Sequence, residues 1–285
     1  MIDTLLANGW LWLLLAAWVG LCVGSFLNVV IYRLPVMLQR QWQREAADIL
    51  HGEAAQPPQP PPFNLMVPRS RCPACEAPIR AWQNVPVLSW LVLRGRCARC
   101  GAAISARYPV VELITGLATL AVLAVFGYTG LGLAALVYTW TLLALTFIDF
   151  DTQLLPDQLT LPLVWLGLLV SVYGGIVTPV DAIVGAAAGY LFLWGTYWAF
   201  KLVTSKEGMG YGDFKLLAAI GAWLGWQVLP AAVLIAAAVG LVYAVFTSLT
   251  GRRASAQPIP FGPFLAIAGW ACLLQRDTVL GLFLI

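Results

Sequence analysis

Apolar runs long enough to cross a lipid bilayer recur along this chain, at about 10–32, 110–127, 131–150, 159–177, 180–203, 214–229, 231–250 and 261–275. Most of them approach the ~20 residues that a spanning helix needs. A soluble globule of 285 residues could not hide them: 61% of the chain is apolar and 10% charged, against roughly 45–50% and about 25% in an average soluble domain. Only helices and closed barrels satisfy their backbone groups in lipid. The expected fold is an all-α polytopic membrane protein of about eight transmembrane helices. The first run has no basic residue before it and no small-residue cleavage site after it, so it reads as a retained span and not as a removable signal peptide.

Charge is sharply segregated. Residues 1–32 and 108–200 hold no Lys or Arg, whereas 33–107 carries ten Arg, and the other six basic residues are Lys201, Lys206, Lys215, Arg252, Arg253 and Arg276. Placing 33–107 in the cytosol puts every later basic residue except Arg276 in a cytosolic loop as well, as the positive-inside bias requires of short loops. Both termini then lie outside the cytosol. The expected division is a first transmembrane helix at 1–32, a cytosolic loop at 33–108 and a membrane domain of about seven helices at 109–285.

The loop opens with a polar piece whose residues can form a helix, from Gln39 to Leu50, followed by the Pro-rich PPQPPP at 57–62. Two CxxC knuckles follow, Cys72-Pro-Ala-Cys75 and Cys97-Ala-Arg-Cys100, separated by 21 residues, close to the spacing of Cys₄ zinc ribbons. So short a segment buries little core, so metal binding would supply much of its folding free energy. Four thiolates leave no open position for water, which makes the metal structural. The alternatives are free thiols or disulfides, and a reducing cytosol disfavours the latter. A nucleic-acid-binding ribbon is a weaker reading, because the aromatic and basic residues form no repeated stripe. Cys22 and Cys272 sit in apolar runs and read as small core residues. His51 is the only histidine and has no partner at ligand spacing, which removes every His-dependent catalytic scheme.

Carboxylates within or at the ends of spans cost several kcal/mol unless partnered or wet, so they are functional candidates. There are six: Glu112, Asp149, Asp151, Asp157, Asp181 and Asp213. Asp157 follows Pro156 and Asp181 follows Pro179, so helix capping accounts for both. Glu112, one turn into the second span, would pair with Arg107 or a loop group. Asp213 could also cap a helix, but capping does not require the three preceding glycines of Gly208-Met209-Gly210-Tyr211-Gly212, which suit a mobile loop admitting a peptide. Asp149 interrupts an apolar run at its cytosolic end, where no cap is needed. Asp151 would point roughly 200° away on the same helix, so only one of these two can face a given site. Asp149 and Asp213 both fall at cytosolic span ends and can meet at one depth. Two such carboxylates share a proton, one accepting from water and the other donating to a carbonyl, as in aspartic proteases. Lys206 and Lys215 flank the second aspartate and could bias its form.

GSFLNVVIYRLP at 24–35, the cysteine knuckles, RYPVVELITG at 107–116, IDFDTQLLPDQLTLP at 148–162, KEGMGYGDFKLLAAIGAWLG at 206–225 and PIPFGPFLAIAGW at 258–270 together resemble the prepilin peptidases. These are the bifunctional leader peptidases and N-methyltransferases of type IV pilus and type II secretion systems. The resemblance covers nearly the whole chain and implies a catalytic pair at Asp149 and Asp213, the second within the GxGD element Gly210-Tyr211-Gly212-Asp213. It implies prepilins and pseudopilins as substrates, cut at the cytosolic face of the bacterial inner membrane after a short basic leader ending in glycine. Methylation of the new N-terminus would use S-adenosylmethionine. The bare residues do not suggest that second activity, because no Rossmann-type glycine fingerprint is present. Gly24, Asn28, Arg33 and Gly95 lie in the region it should use, without assigned roles. The alternative from another class is a cation or proton transporter with intramembrane carboxylates, which would show internal repeats and midplane sites; neither is found.

Overall fold

A computed structural model of the chain describes residues 9–51, 62–206, 208–250 and 259–283. Nearly every regular element in it is a helix, and among the described residues the only extended pairings are two isolated bridges, Arg71 with Pro78 and Arg96 with Ala103. Two compact units are distinguished, Met1–Ala121 and Val122–Ile285.

In the first unit, α1 (Gly9–His51) runs for 43 residues with Pro35 inside it. The polar piece at 39–50 therefore continues the first span as one helix. A single proline removes one internal hydrogen bond, and the Gln, Arg, Glu and Ala residues that follow propagate a helix well. The Pro-rich stretch at 57–62 lies outside the described residues apart from Pro62. A short helix, α2 (Leu88–Val92), precedes α3 (Arg107–Phe126). Small residues let α1 and α3 approach closely. A Cβ on Gly20 would sit 2.7 Å from the Thr119 Oγ1, and one on Gly24 would sit 2.7 Å from the Glu112 Cα.

The second unit contains α4 (Gly130–Thr152), α5 (Asp157–Val172), α6 (Pro179–Thr204), α7 (Tyr211–Leu224), α8 (Leu229–Leu249), α9 (Gly262–Leu274) and α10 (Arg276–Phe283). Each apolar run of the sequence has become one helix. Among the described residues, five helices are long and apolar enough to cross a membrane: Gly9–Leu50, Arg107–Phe126, Gly130–Thr152, Pro179–Thr204 and Trp226–Leu249. A sixth span forms if α9 and α10, bent by 100° at their junction, are one broken crossing. The remaining runs give the 16-residue α5 and the 14-residue α7, about 24 and 21 Å at 1.5 Å per residue. That is short of a ~30 Å hydrocarbon layer.

The shortness of α7 goes with its place at the centre of the unit. Every residue from Leu216 to Leu224 is buried, so its apolar surface meets protein and not lipid. Lipid supplies no hydrophobic drive between helices, so close backbone packing must hold them. On α6, Gly185 lies against the Gly221 backbone of α7, and a Cβ on Gly189 would fall 2.6 Å from the Leu217 carbonyl oxygen. The Trp223 indole N–H donates to the Leu163 carbonyl at 2.9 Å and ties α7 to α5. Asp181 sits in the first turn of α6, where Thr178 is the N-cap, and accepts from Thr178 Oγ1 at 2.7 Å, Trp226 Nε1 at 3.1 Å and Gln227 Nε2 at 3.0 Å. Thr178 and not Asp181 caps the helix, and the aspartate instead ties the start of α6 to Trp226 and Gln227. Cys272 is buried, as a small core residue would be, but Cys22 is exposed on α1.

Candidate active site and cysteine cluster

The C-terminal end of α4 and the N-terminal ends of α5, α7 and α9 are gathered at one end of the second unit, and the two aspartates lie there. Asp149 is 4% exposed and Asp213 is 6% exposed. They are near enough for the charge of Asp149 to act on Asp213. Asp151, two residues further along α4, is exposed, as the helical rotation between the two requires. Asp151→Asn is therefore expected to lower the turnover of any reaction at the buried pair by less than about tenfold, or about 1.4 kcal/mol. Equal losses from Asp149→Asn and Asp151→Asn would show that the helix register had been misread.

Each aspartate is held by a backbone amide. Asp213 occupies the third position of α7, and its carboxylate is hydrogen-bonded to the N–H of Gly210, the N-cap residue. The N-cap is thus Gly210 and not Asp213, which reaches back from the third position as one half of a capping box does. This bond occupies only part of the carboxylate, because Asp213 Oδ1 is buried with no hydrogen-bond partner among the described residues. A buried polar atom of this kind calls for an explanation, and a reacting group or a water aimed at it would provide one. Asp149 accepts from the backbone N–H of Gly262, the first residue of α9.

Leu155 is the spacer between these positions. A Cβ on Gly212 would lie 2.6 Å from the Leu155 Cβ, and one on Gly262 would lie 2.9 Å from the Leu155 Cδ1. Gly208 likewise lies under the Phe200 ring, 2.8 Å from a would-be Cβ. None of Gly208, Gly210 and Gly212 has a positive φ. Two of the three thus leave room for neighbouring side chains, which differs from the mobile peptide-admitting loop that their density suggests. Tyr211 and Phe214 stack with Tyr197 of α6, with centroids 5.3 and 5.8 Å from it, and fix the entry of α7.

Two flanking residues are placed otherwise than by sequence. The N-cap of α5 is Pro156, and Asp157 follows it in the first turn, ion-paired with Lys215 Nζ at 2.6 and 2.8 Å. Lys215 is thereby committed to α5, not to the aspartate pair, and Lys206 is exposed at the preceding turn. Both partners are partly solvated, with side chains 25% and 51% exposed, so the pair is worth at most about 1 kcal/mol. Lys215→Met is expected to lower stability by no more than that and to leave turnover within a few fold, checked by thermal unfolding and kinetics on one preparation.

In the first unit the four cysteines converge. The Sγ atoms of Cys72, Cys75, Cys97 and Cys100 all lie within 4.8 Å of one another, and Cys72 and Cys100 are 3.8 Å apart. A disulfide needs about 2.05 Å; thiolates at about 2.3 Å around one tetrahedral ion stand about 3.8 Å apart. The donor set and spacing fit a tetrahedral metal. The knuckles have matching turns: Glu76 N–H donates to the Cys72 carbonyl and Gly101 N–H to the Cys97 carbonyl, with φ of 54° and 72°. The backbone N–H groups of Cys100 and Arg99 lower the Cys97 thiol to about 6, which favours the thiolate that a metal takes.

The residues flagged beside this module have structural duties. Arg33 donates to the Asn64 and Pro68 carbonyls at 2.8 and 2.6 Å, and Asn28 donates to the Tyr108 carbonyl at 3.1 Å. The Trp90 ring covers Gly95, 2.9 Å from a would-be Cβ, and a Cβ on Gly24 would meet the Glu112 backbone. Glu112 is paired with a loop group, accepting from Val87 N–H at 2.7 Å, and not with Arg107. Sequence reasoning missed two parts of the aspartate site, Leu155 and Gly262. Both lie in segments that carry the family resemblance, 148–162 and 258–270, but a leucine or a glycine beside a proline is too common for its own chemistry to single it out.

Residues 18–126 match the family described as Bacterial Peptidase A24 N-terminal domain, and residues 136–245 match the Type IV leader peptidase family. The chain is similar to a curated protein of Aeromonas salmonicida named prepilin leader peptidase/N-methyltransferase, 57% identical over 96% of this chain and 95% of that one. Proteins of the same name from Stutzerimonas stutzeri and Pseudomonas aeruginosa are 52% and 49% identical. They match over 99% and 98% of this chain and over 97% and 96% of their own lengths. No solved structure matches.

Proposed function

The chain belongs to the type IV leader peptidase family, and from that premise we propose that it cleaves the leader of prepilins and pseudopilins with Asp149 and Asp213 as its catalytic pair, then methylates the new N-terminus. The observation that carries the peptidase half is the burial of two carboxylates, from different helices, close enough for one charge to act on the other. Ionising both in a low-dielectric site is costly, so one proton serves the two. The ionised member accepts a proton from the attacking water while the protonated member donates to the scissile carbonyl. Bond cleavage then returns a proton to the leaving amine, and the pair is restored. Asp213 Oδ1 has no other hydrogen-bond partner among the described residues and is placed to meet substrate or water.

Cleavage at the cytosolic face of the inner membrane follows from the charge pattern: Lys201, Lys206 and Lys215 cluster at the same helix ends as the two aspartates. The long, apolar helices make the chain a membrane protein, and family membership leaves no place for the transporter reading. Zinc is the metal proposed for the four cysteines, where it would act as a structural clasp, with Cys72, Cys75, Cys97 and Cys100 as its ligands. The relatives' name carries a methyltransferase activity, for which S-adenosylmethionine is the proposed donor. Gly24, Asn28, Arg33 and Gly95 lie in the unit that would serve this activity, each against a neighbouring protein group.

The test is to incubate the purified protein in lipid with a prepilin and a labelled methyl donor, following leader loss and label incorporation separately. Leader loss requiring both aspartates is the expected result. Cleavage that survives replacement of either would overturn the assignment.

A further inference from the structure

We propose that Gly262, far in sequence from both aspartate motifs, is a positioning residue of the catalytic pair. Its amide holds the Asp149 carboxylate, and its missing side chain leaves the space that this carboxylate occupies. The inference rests on the peptidase reading above and extends it to a third segment, 259–264.

Two independent features of Gly262 point the same way. Its backbone N–H is hydrogen-bonded to Asp149. Any Cβ built on it would fall 2.5 Å from Asp149 Oδ2, 2.9 Å from Leu155 Cδ1 and 3.2 Å from Leu155 Cδ2. Contacts below 3.0 Å force something to move, and here the nearest atom is the carboxylate itself. Gly262 is also the first residue of a 13-residue helix. The positive end of the helix dipole therefore lies beside the acidic group. No conformational need explains the glycine, since its φ is not positive.

The approach of α9 to α4 is held by aromatic rings one residue beyond Asp149 and two residues beyond Gly262. Phe150, next to Asp149, lies 6.2 Å from Phe264 edge-to-face and 6.0 Å from Tyr243, and Tyr243 and Phe264 are 5.4 Å apart. This trio fixes α9 against the end of α4, so an added methyl at 262 cannot be relieved by sliding the helix. The Asp149 carboxylate would have to turn, and a displacement near 1 Å from productive geometry costs about a hundredfold.

The experiment compares Gly262→Ala with Gly269→Ala in the full-length protein in lipid. Gly269 is on the same helix, and there a Cβ would meet the Ile220 side chain at 2.8 Å, so Gly269→Ala reports on packing alone. For Gly262→Ala we expect kcat for leader cleavage to fall about a hundredfold with KM changed less than about threefold. Methylation of an already cleaved pilin should be retained, since only the peptidase geometry is disturbed. Gly269→Ala should lower the melting temperature without that selective loss of kcat. Wild-type cleavage by Gly262→Ala, or equal loss of cleavage and methylation, would overturn the proposal. So would a matching selective kcat loss in Gly269→Ala. Asp149→Asn in parallel separates the two readings: a dead Asp149→Asn beside an active Gly262→Ala sinks only the positioning role, and an active Asp149→Asn sinks the peptidase assignment.

Discussion

Asp149→Asn is expected to abolish leader cleavage, lowering kcat by at least about a thousandfold, at the upper end of what a general acid or base supplies, while the protein stays folded. Asparagine keeps the shape of aspartate, and its carbonyl oxygen can still accept from the Gly262 N–H that now holds the carboxylate. The helix loses nothing, because Asp149 lies at the C-terminal end of α4, where the left-handed residue Gln153 closes the helix through its own N–H to the Asp149 carbonyl. What disappears is the ability to take up and release a proton. Asp213→Asn should have the same effect, with the Gly210 amide still accommodated. The double variant should be no worse than either single one, as for residues that act as one unit. Leader loss measured on purified protein, with helicity and methylation of a cleaved pilin as controls, decides it. Retained cleavage in a folded Asp149→Asn protein would end the claim that the pair does the chemistry.

The same two residues show how far a sequence can be read. Asp149 stands out because an apolar helix end has no use for a charge, and that logic needs only the local composition. Its separation from Asp151 follows from helical rotation alone, and the structure buries one and exposes the other. The eight apolar runs are likewise legible as helices, since periodicity and length are local. The placement of α7 at the centre of its unit is not local, and its 14 residues look like a span in the sequence. Its length suffices only because Gly185, Gly189 and Trp223 bring neighbours around it. The same holds for Lys215, which looks like a modulator of the adjacent aspartate and turns out to serve Asp157, 58 residues away. Glycines are the most ambiguous letters of all. Gly212 reads as freedom in the chain, whereas its φ is not positive and its lack of a side chain makes room for Leu155.

Cys72→Ser is expected to strip the metal and impair methylation more than cleavage. Four thiolates around one ion act together: each knuckle supplies two, so losing one leaves a three-ligand site open to water. Serine's hydroxyl is a hard, neutral donor that replaces a thiolate poorly. The segment has little else to hold it, since within 70–104 only Cys72, Ala77, Pro86 and Gly95 are buried. Binding free energies of about 10–16 kcal/mol for structural zinc in small peptides exceed anything that two isolated bridges could offset. Loss of the ion should therefore loosen the segment from Arg69 to Ser105, seen as faster amide exchange and new protease sites there. The selectivity between activities comes from the division of the chain: the cluster belongs to the unit Met1–Ala121 and both aspartates to Val122–Ile285, so the catalytic pair keeps its own supports. Metal analysis of the wild type should find one zinc per chain, and Cys72→Ser close to none after dialysis. A metal-free wild type that methylates normally would refute the clasp, and cleavage falling as steeply as methylation would refute the separation of the two sites.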